Sequence, residues 1–103
     1  MRRRLLPDLG NLQTFECAAR HGNFSRAAQE LNLTQSAVSR QIAELEAQTG
    51  QRLFERIRQR VVLSEAGQQA LPEVRRILSD AERLMMDTLA AGPVTQQLRI
   101  ASL

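Results

Sequence analysis

Between Asp8 and Gly50 the chain carries its own punctuation for three short helices, and this constrains its fold more than any other feature. Leu9, Leu12, Phe15 and Ala19 recur at helical spacing behind Asp8, a capping residue, and Gly22 stands where that helix would stop. Ser25 is placed to cap a second helix over residues 26–31, with Ala27, Ala28 and Leu31 turned inward. Asn32 ends it, because Asn tolerates the left-handed conformation better than most residues. Leu33 is expected to anchor the turn and Thr34 to cap a third helix from Gln35 to about Thr49. Val38, Ile42 and Leu45 form the buried face of that helix, and Gly50 stops it.

Two short helices joined by a tight turn make a helix-turn-helix. Its geometry needs a small residue at the crossing, a sharp turn four residues on, and an apolar residue six beyond that. Ala28, Asn32 and Val38 occupy these places, with Asn32 standing where Gly is usual.

Beyond Gly50, Leu53-Phe54 and Val61-Val62-Leu63 are β-prone runs flanking Glu55-Arg56-Ile57-Arg58-Gln59-Arg60, which predicts a hairpin with a polar, Arg-rich loop. Ser64 then caps a fourth helix reaching to about Ala91, a length of roughly 40 Å at the usual helical rise. Leu71, Val74, Leu78, Ala81, Met85 and Thr88 alternate spacings of three and four, a heptad seam suited to self-pairing. Pro72 is expected to bend that helix or weaken a turn. Gly92-Pro93 breaks it, and Leu98–Leu103 reads as the first strand of a further domain.

Charge separates the two halves. All 14 basic residues are Arg; residues 1–63 carry ten against six acids, and residues 64–103 carry four against five. The front half is therefore the candidate phosphate-facing surface. An apolar content of 43% allows a modest core, and three Phe are the only aromatics, which favours packed helices. The single cysteine, Cys17, excludes an internal disulfide and suits a reducing cytosol. Arg2-Arg3-Arg4 resembles the start of a signal peptide, but Pro7 and Asp8 break the apolar run at once. No stretch is long enough to cross a bilayer, so the expectation is a cytoplasmic protein with no membrane partner.

The third helix is the expected reader of bases, because a helix-turn-helix places the N-terminal part of its second helix in the major groove. Gln35, Ser36, Ser39, Arg40 and Glu44 are its early exposed positions. Gln pairs bidentately with adenine and Arg with guanine, while Arg40 is equally suited to clamp a phosphate. Arg56, Arg58 and Arg60 alternate, so a period of two would put them on one face, suited to phosphates or a narrow minor groove. A charged edge that blocks aggregation is the other reading of those three. Cys17 and His21 lie four apart on one helix, but no orienting third group or oxyanion donor accompanies them, so an enzyme is not expected. One Cys and one His are too few for a metal set, and no glycine-rich phosphate loop exists. A protein-interaction module built on the long helix is the remaining rival, and the Arg-rich hairpin argues against it.

Ala19-Arg20-His21-Gly22-Asn23-Phe24-Ser25-Arg26-Ala27-Ala28-Gln29-Glu30-Leu31, followed by Thr34-Gln35-Ser36-Ala37-Val38-Ser39-Arg40-Gln41-Ile42, resembles the LysR-type transcriptional regulators. So do Leu45-Glu46, Gly50, Leu53-Phe54-Glu55-Arg56 and Leu63-Ser64-Glu65-Ala66-Gly67, and the likeness runs from Leu9 to Ala91. Leu6-Pro7-Asp8-Leu9 and Ala18-Ala19-Arg20-His21-Gly22 are similar to the glycine-cleavage-activator branch. The resemblance implies a mainly α fold: a winged helix-turn-helix over residues 9–63 after a tail at 1–8, then a dimerisation helix over 64–91. Residues 92–103 would be a hinge and the opening strand of an effector-binding domain. It further implies a homodimer on double-stranded operator DNA, with tetramers open to the full protein, and a small-molecule effector bound by the C-terminal domain rather than by a cofactor here. The expected DNA-contacting set is Ser25, Thr34, Gln35, Ser36, Ser39, Arg40, Arg56, Arg58 and Arg60. The expected dimer contacts are Leu71, Val74, Leu78, Ala81 and Met85.

Overall fold

A computed structural model describes residues 5–58 and 60–92. Its elements run α1 (Leu9–His21), α2 (Phe24–Leu31), α3 (Gln35–Thr49), β1 (Phe54–Ile57), β2 (Arg60–Leu63) and α4 (Glu65–Ala90). The fold is a winged helix-turn-helix continued by a long helix. The Arg2-Arg3-Arg4 tail and the strand expected at 98–103 lie outside the described residues.

The caps explain the helix ends. The Asp8 carboxylate accepts from the N–H groups of Gly10 and Asn11 at the start of α1, and Gly22 closes it in the left-handed region at φ 64°. Thr34 accepts from Ala37 N–H at the start of α3, and Gly50 ends that helix at φ 72°. Asn32 is left-handed at φ 56°, as its residue type allows. Leu33 donates its N–H to the Ala28 carbonyl at 2.9 Å, the backbone closure typical of such a helix end. That bond holds the turn; the Leu33 side chain is exposed and does not anchor it as expected.

The second helix begins earlier than the sequence predicts. Asn23, not Ser25, is its N-cap, with an extended backbone and a side chain that accepts from Arg26 N–H at 2.9 Å. Both residues are good caps, and tertiary packing decides between them: starting at Phe24 buries its ring against Phe54, edge-on with centroids 5.5 Å apart. Phe15 meets the same Phe54 ring at 5.4 Å. These rings, with Leu12, Val38, Ile42, Leu45, Leu53 and Val61, make one core beneath the three helices and the hairpin. Leu9 is half exposed rather than inward, and Asn11 and Thr14 are buried in its place.

The hairpin is tighter than expected. β1 and β2 pair antiparallel, with Phe54 opposite Leu63, Arg56 opposite Val61 and Ile57 opposite Arg60. Most of the polar stretch is therefore strand, leaving residues 58 and 59 between the strands, with Arg58 left-handed at φ 61°. The start of α4 is stitched to the preceding segment: Ser64 accepts from Gly67 N–H, while its hydroxyl donates to the Arg52 carbonyl and its N–H to that of Leu53. α4 continues as one helix through Pro72.

The heptad seam is divided. Val74 is 6% exposed within the chain's own core, and Leu71 and Leu78 pack partly against that core. Val74 is thus a tertiary contact and not the dimer contact expected. The three–four spacing cannot distinguish a helix lying on its own domain from one lying on a partner, because both bury a stripe of the same period. From Ala81 onward α4 leaves the body, and Leu84, Met85, Met86 and Leu89 are all more than half exposed.

Candidate nucleic-acid interface

The caps just described bring one polar surface together at the start of α3. Gln35, Ser36 and Arg40 are exposed, Ser39 is half-buried, and Thr34 stands at the cap with its hydroxyl 3.3 Å from that of Ser36. Because Asn23 takes the capping role, the Ser25 hydroxyl is free of that duty and instead donates to Gln35 Oε1 at 3.0 Å. Six of the nine expected contact residues are thereby grouped. The orientation of Gln35, the expected adenine reader, is held from the neighbouring helix.

The rest of α3 is fixed by polar contacts that the sequence pattern does not reveal. Buried Asn11 of α1 donates to Glu44 Oε1 at 3.3 Å, and Glu44 Oε2 accepts from Arg40 at 3.4 Å. Buried Thr14 donates to Gln41. Two polar residues on the inner face of α1 thus set the rotation of α3, and one of them reaches Arg40 through Glu44. A polar residue at a core position of α1 was the available signal.

The wing arginines do not share a face. Directly paired residues of an antiparallel ladder point to the same side, and successive residues alternate. Arg56 therefore lies on the side of Phe54, Val61 and Leu63, and its guanidinium sits over the Phe24 ring, 5.7 Å from the centroid. Arg60, opposite Ile57, lies on the other side. Arg58 occupies the tip. The expected alternation fails because the chain reverses between 57 and 60, so a period of two does not continue through the turn. Arg56 has a packing role that binds the wing to α2, and Arg58 and Arg60 are the projecting charges.

A second polar group joins α1, α2 and α4. Arg20 bonds Glu30 at 2.7 and 2.9 Å and Glu16 at 3.2 Å, Glu16 meets Arg75 of α4 at 3.5 Å, and His21 Nε2 lies 2.8 Å from Glu30. The Arg20 guanidinium, with His21 beside it, holds the Glu30 carboxyl down at about 2, and the Arg20 pKa is raised in turn. Burial pushes the Cys17 thiol up. Glu30 was not counted as a partner of Cys17 and His21 in the sequence, because only the fold lays α2 across α1 there. Among the described residues no helix is long and apolar enough to cross a membrane.

The comparisons with known proteins agree with this geometry. The description "Bacterial regulatory helix-turn-helix protein, lysR family" matches residues 9–68. The chain is 42% identical over 96 residues to the glycine cleavage system transcriptional activator of Escherichia coli K12, covering 90% of this chain and 32% of that protein. It spans about a third of the length of that relative. Among solved structures, the Corynebacterium glutamicum OxyR C206 mutant superposes with a TM-score of 0.82 at 31% identity, covering 85% of this chain and 28% of the other. The CbnR_DBD–DNA complex gives 0.76 at 36% identity, covering 82% of this chain and 97% of the other.

Proposed function

This chain belongs to the lysR family of bacterial regulatory helix-turn-helix proteins, and on that premise we propose that it is the operator-reading part of a transcriptional regulator. The observation that carries the proposal is the grouping of Ser25, Thr34, Gln35, Ser36, Ser39 and Arg40 at the exposed N-terminal end of α3. That end enters the major groove in a helix-turn-helix. Gln35 offers an amide to an adenine edge, with Ser25 setting its orientation, and Ser36 and Ser39 adapt to either base type. Arg40, steadied by Glu44, reaches a guanine or a backbone phosphate. Arg58 and Arg60 follow the flanking backbone from the wing. Likeness to a DNA-complexed domain over 82% of this chain supports the reading.

The functional unit on this reading is a homodimer. Leu84, Met85, Met86 and Leu89 form an exposed apolar stretch on the free half of α4, the kind of surface that marks an interface. Ala81 and Met85 remain as dimer contacts from the original seam, joined by those neighbours. Two heads on a two-fold axis fit an inverted-repeat operator. A small-molecule effector belongs to a C-terminal domain of a longer protein, not to the winged domain, and the site of action is the cytoplasm.

Equilibrium DNA binding across a salt series tests the assignment. Ser39→Ala is expected to flatten preference at one base position, a loss of roughly 1–3 kcal/mol if it pairs a base edge. Arg58→Asn, which keeps the left-handed turn, is expected to weaken all duplexes alike and reduce the salt slope by about one. Binding that ignores salt, or a Ser39→Ala variant with unchanged preference, would overturn these roles.

A further inference from the structure

One cluster has no part in reading DNA. Cys17 and His21 stand four residues apart on α1, so they project from one face, and small Ala27 and Ala28 let α2 lie close enough to bring Glu30 to the same point. The sulfur, an imidazole nitrogen and a carboxylate oxygen all lie within 4.8 Å of one another. Cys17 is 1% exposed, its thiol making a long 3.8 Å contact to the Ala27 carbonyl and also interacting with the Glu30 carboxylate, while His21 is half-buried and Glu30 exposed. Cys17, Arg20 and Glu30 line a groove between α1, α2 and α4 that gives an ion and a water access.

We propose that Cys17, His21 and Glu30 bind one borderline divalent cation, Zn²⁺ foremost, clasping α1 to α2. A thiolate, an imidazole and a carboxylate are three of the ligand types Zn²⁺ takes in tetrahedral sites, and water from the groove supplies the fourth. The thiolate selects against Mg²⁺ and Ca²⁺, which prefer oxygen. On binding, the Cys17 thiol proton goes to solvent. The ion takes the place of the proton that His21 Nε2 now shares with Glu30 Oε1 at 2.8 Å; that proton leaves Nε2, and the imidazole ends neutral with its one proton on Nδ1. Thiolate and carboxylate together balance the two positive charges. Arg20 opposes the ion: two of its nitrogens donate to Glu16, and it also donates to Glu30 Oε1 at 2.9 Å and Oε2 at 2.7 Å. On binding, the contact to Oε1 gives way to the ion and the one to Oε2 stays. Arg75 lines the same groove and is paired with Glu16 Oε2 at 3.5 Å.

The reduced chain is titrated with Zn²⁺ while thermal unfolding is followed, and with Co²⁺ while thiolate-to-metal absorption is followed. One ion per chain is expected, with Zn²⁺ at a hundredfold excess over its Kd raising the folded-to-unfolded ratio about a hundredfold. Cys17→Ala, a size the core accepts, is expected to lose both the Zn²⁺ shift and the Co²⁺ band, and Glu30→Gln to weaken Zn²⁺ at least about tenfold, as loss of a carboxylate ligand implies. The proposal fails if wild-type protein gives no Co²⁺–thiolate band and no Zn²⁺ shift, or if Cys17→Ala keeps the shift undiminished. The Co²⁺ band is read on wild-type protein, so the test stands even if a variant does not fold, and DNA affinity is not part of it.

Discussion

Gly67→Ala sets two effects of opposite sign against each other at one atom. Gly67 lies within the first turn of α4, where alanine normally stabilises a helix by about 1 kcal/mol. A Cβ built there would lie 2.2 Å from the Leu53 carbonyl oxygen, 2.9 Å from Leu63 Cδ2 and 3.2 Å from the Leu53 carbonyl carbon. Ordinary carbon–oxygen contact therefore requires backbone to move by roughly an ångström, into a region packed at crystal-like density. The Leu53 carbonyl cannot retreat alone, because it accepts the Ser64 N–H at 3.0 Å at the helix start. Overpacking of this kind costs about 1–3 kcal/mol, with the backbone obstacle placing it at the upper end. Loss of the Ser64 hydrogen bond adds about 1 kcal/mol. The propensity gain offsets only part of this, leaving a net loss of about 2–3 kcal/mol. Each kcal/mol lowers Tm by about 4–8 °C in a domain of this size, so the expected fall exceeds about 8 °C. Circular dichroism melting at fixed protomer concentration measures it, with exposed Gln69→Ala as the control. A Gly67→Ala variant as stable as wild type would refute the close approach of α4 to residue 53.

Three other outcomes follow from particular contacts. Asn32→Ala is expected to lose about 1–2 kcal/mol in thermal unfolding because φ is 56° there, whereas Asn32→Gly is expected to be close to neutral. Arg56→Ala is expected to lower stability by about 0.5–1 kcal/mol through its contact with Phe24, while Arg60→Ala leaves stability unchanged; equal melting of the two would contradict the division of the wing. Glu30 has a folded-state pKa below its unfolded value, so its contribution is present above the ordinary carboxylate range and is lost as pH falls through about 2. Carboxyl NMR is expected to show Glu30 ionised at pH 3, and Arg20→Ala to bring its midpoint back up.

The helix order and the helix-turn-helix were legible because caps and stops act locally: Asp8, Gly22, Asn32, Thr34 and Gly50 do what their residue types dictate. Where two local signals competed, as between Asn23 and Ser25, the decision lay in burying Phe24 and could not be read from either cap. The wing failed for a related reason, since alternation along one strand says nothing about how the chain turns after Ile57. Val74 shows the same limit at a larger scale: its heptad position is real, but the surface it meets is the chain's own core. The polar ties through Asn11, Thr14 and Glu30 were hidden because they join residues far apart in sequence, and Gly67 because only the path of residue 53 shows why no side chain fits.

The central claim is that two copies of this α3 surface read one symmetric site. Selection of bound sequences from a random duplex pool at moderate salt tests it most directly. The account predicts an enriched inverted repeat, its half-sites about one helical turn apart or a multiple of it. Recovery of no preferred sequence, with binding that simply fades as salt rises, would contradict it and leave a non-specific basic domain.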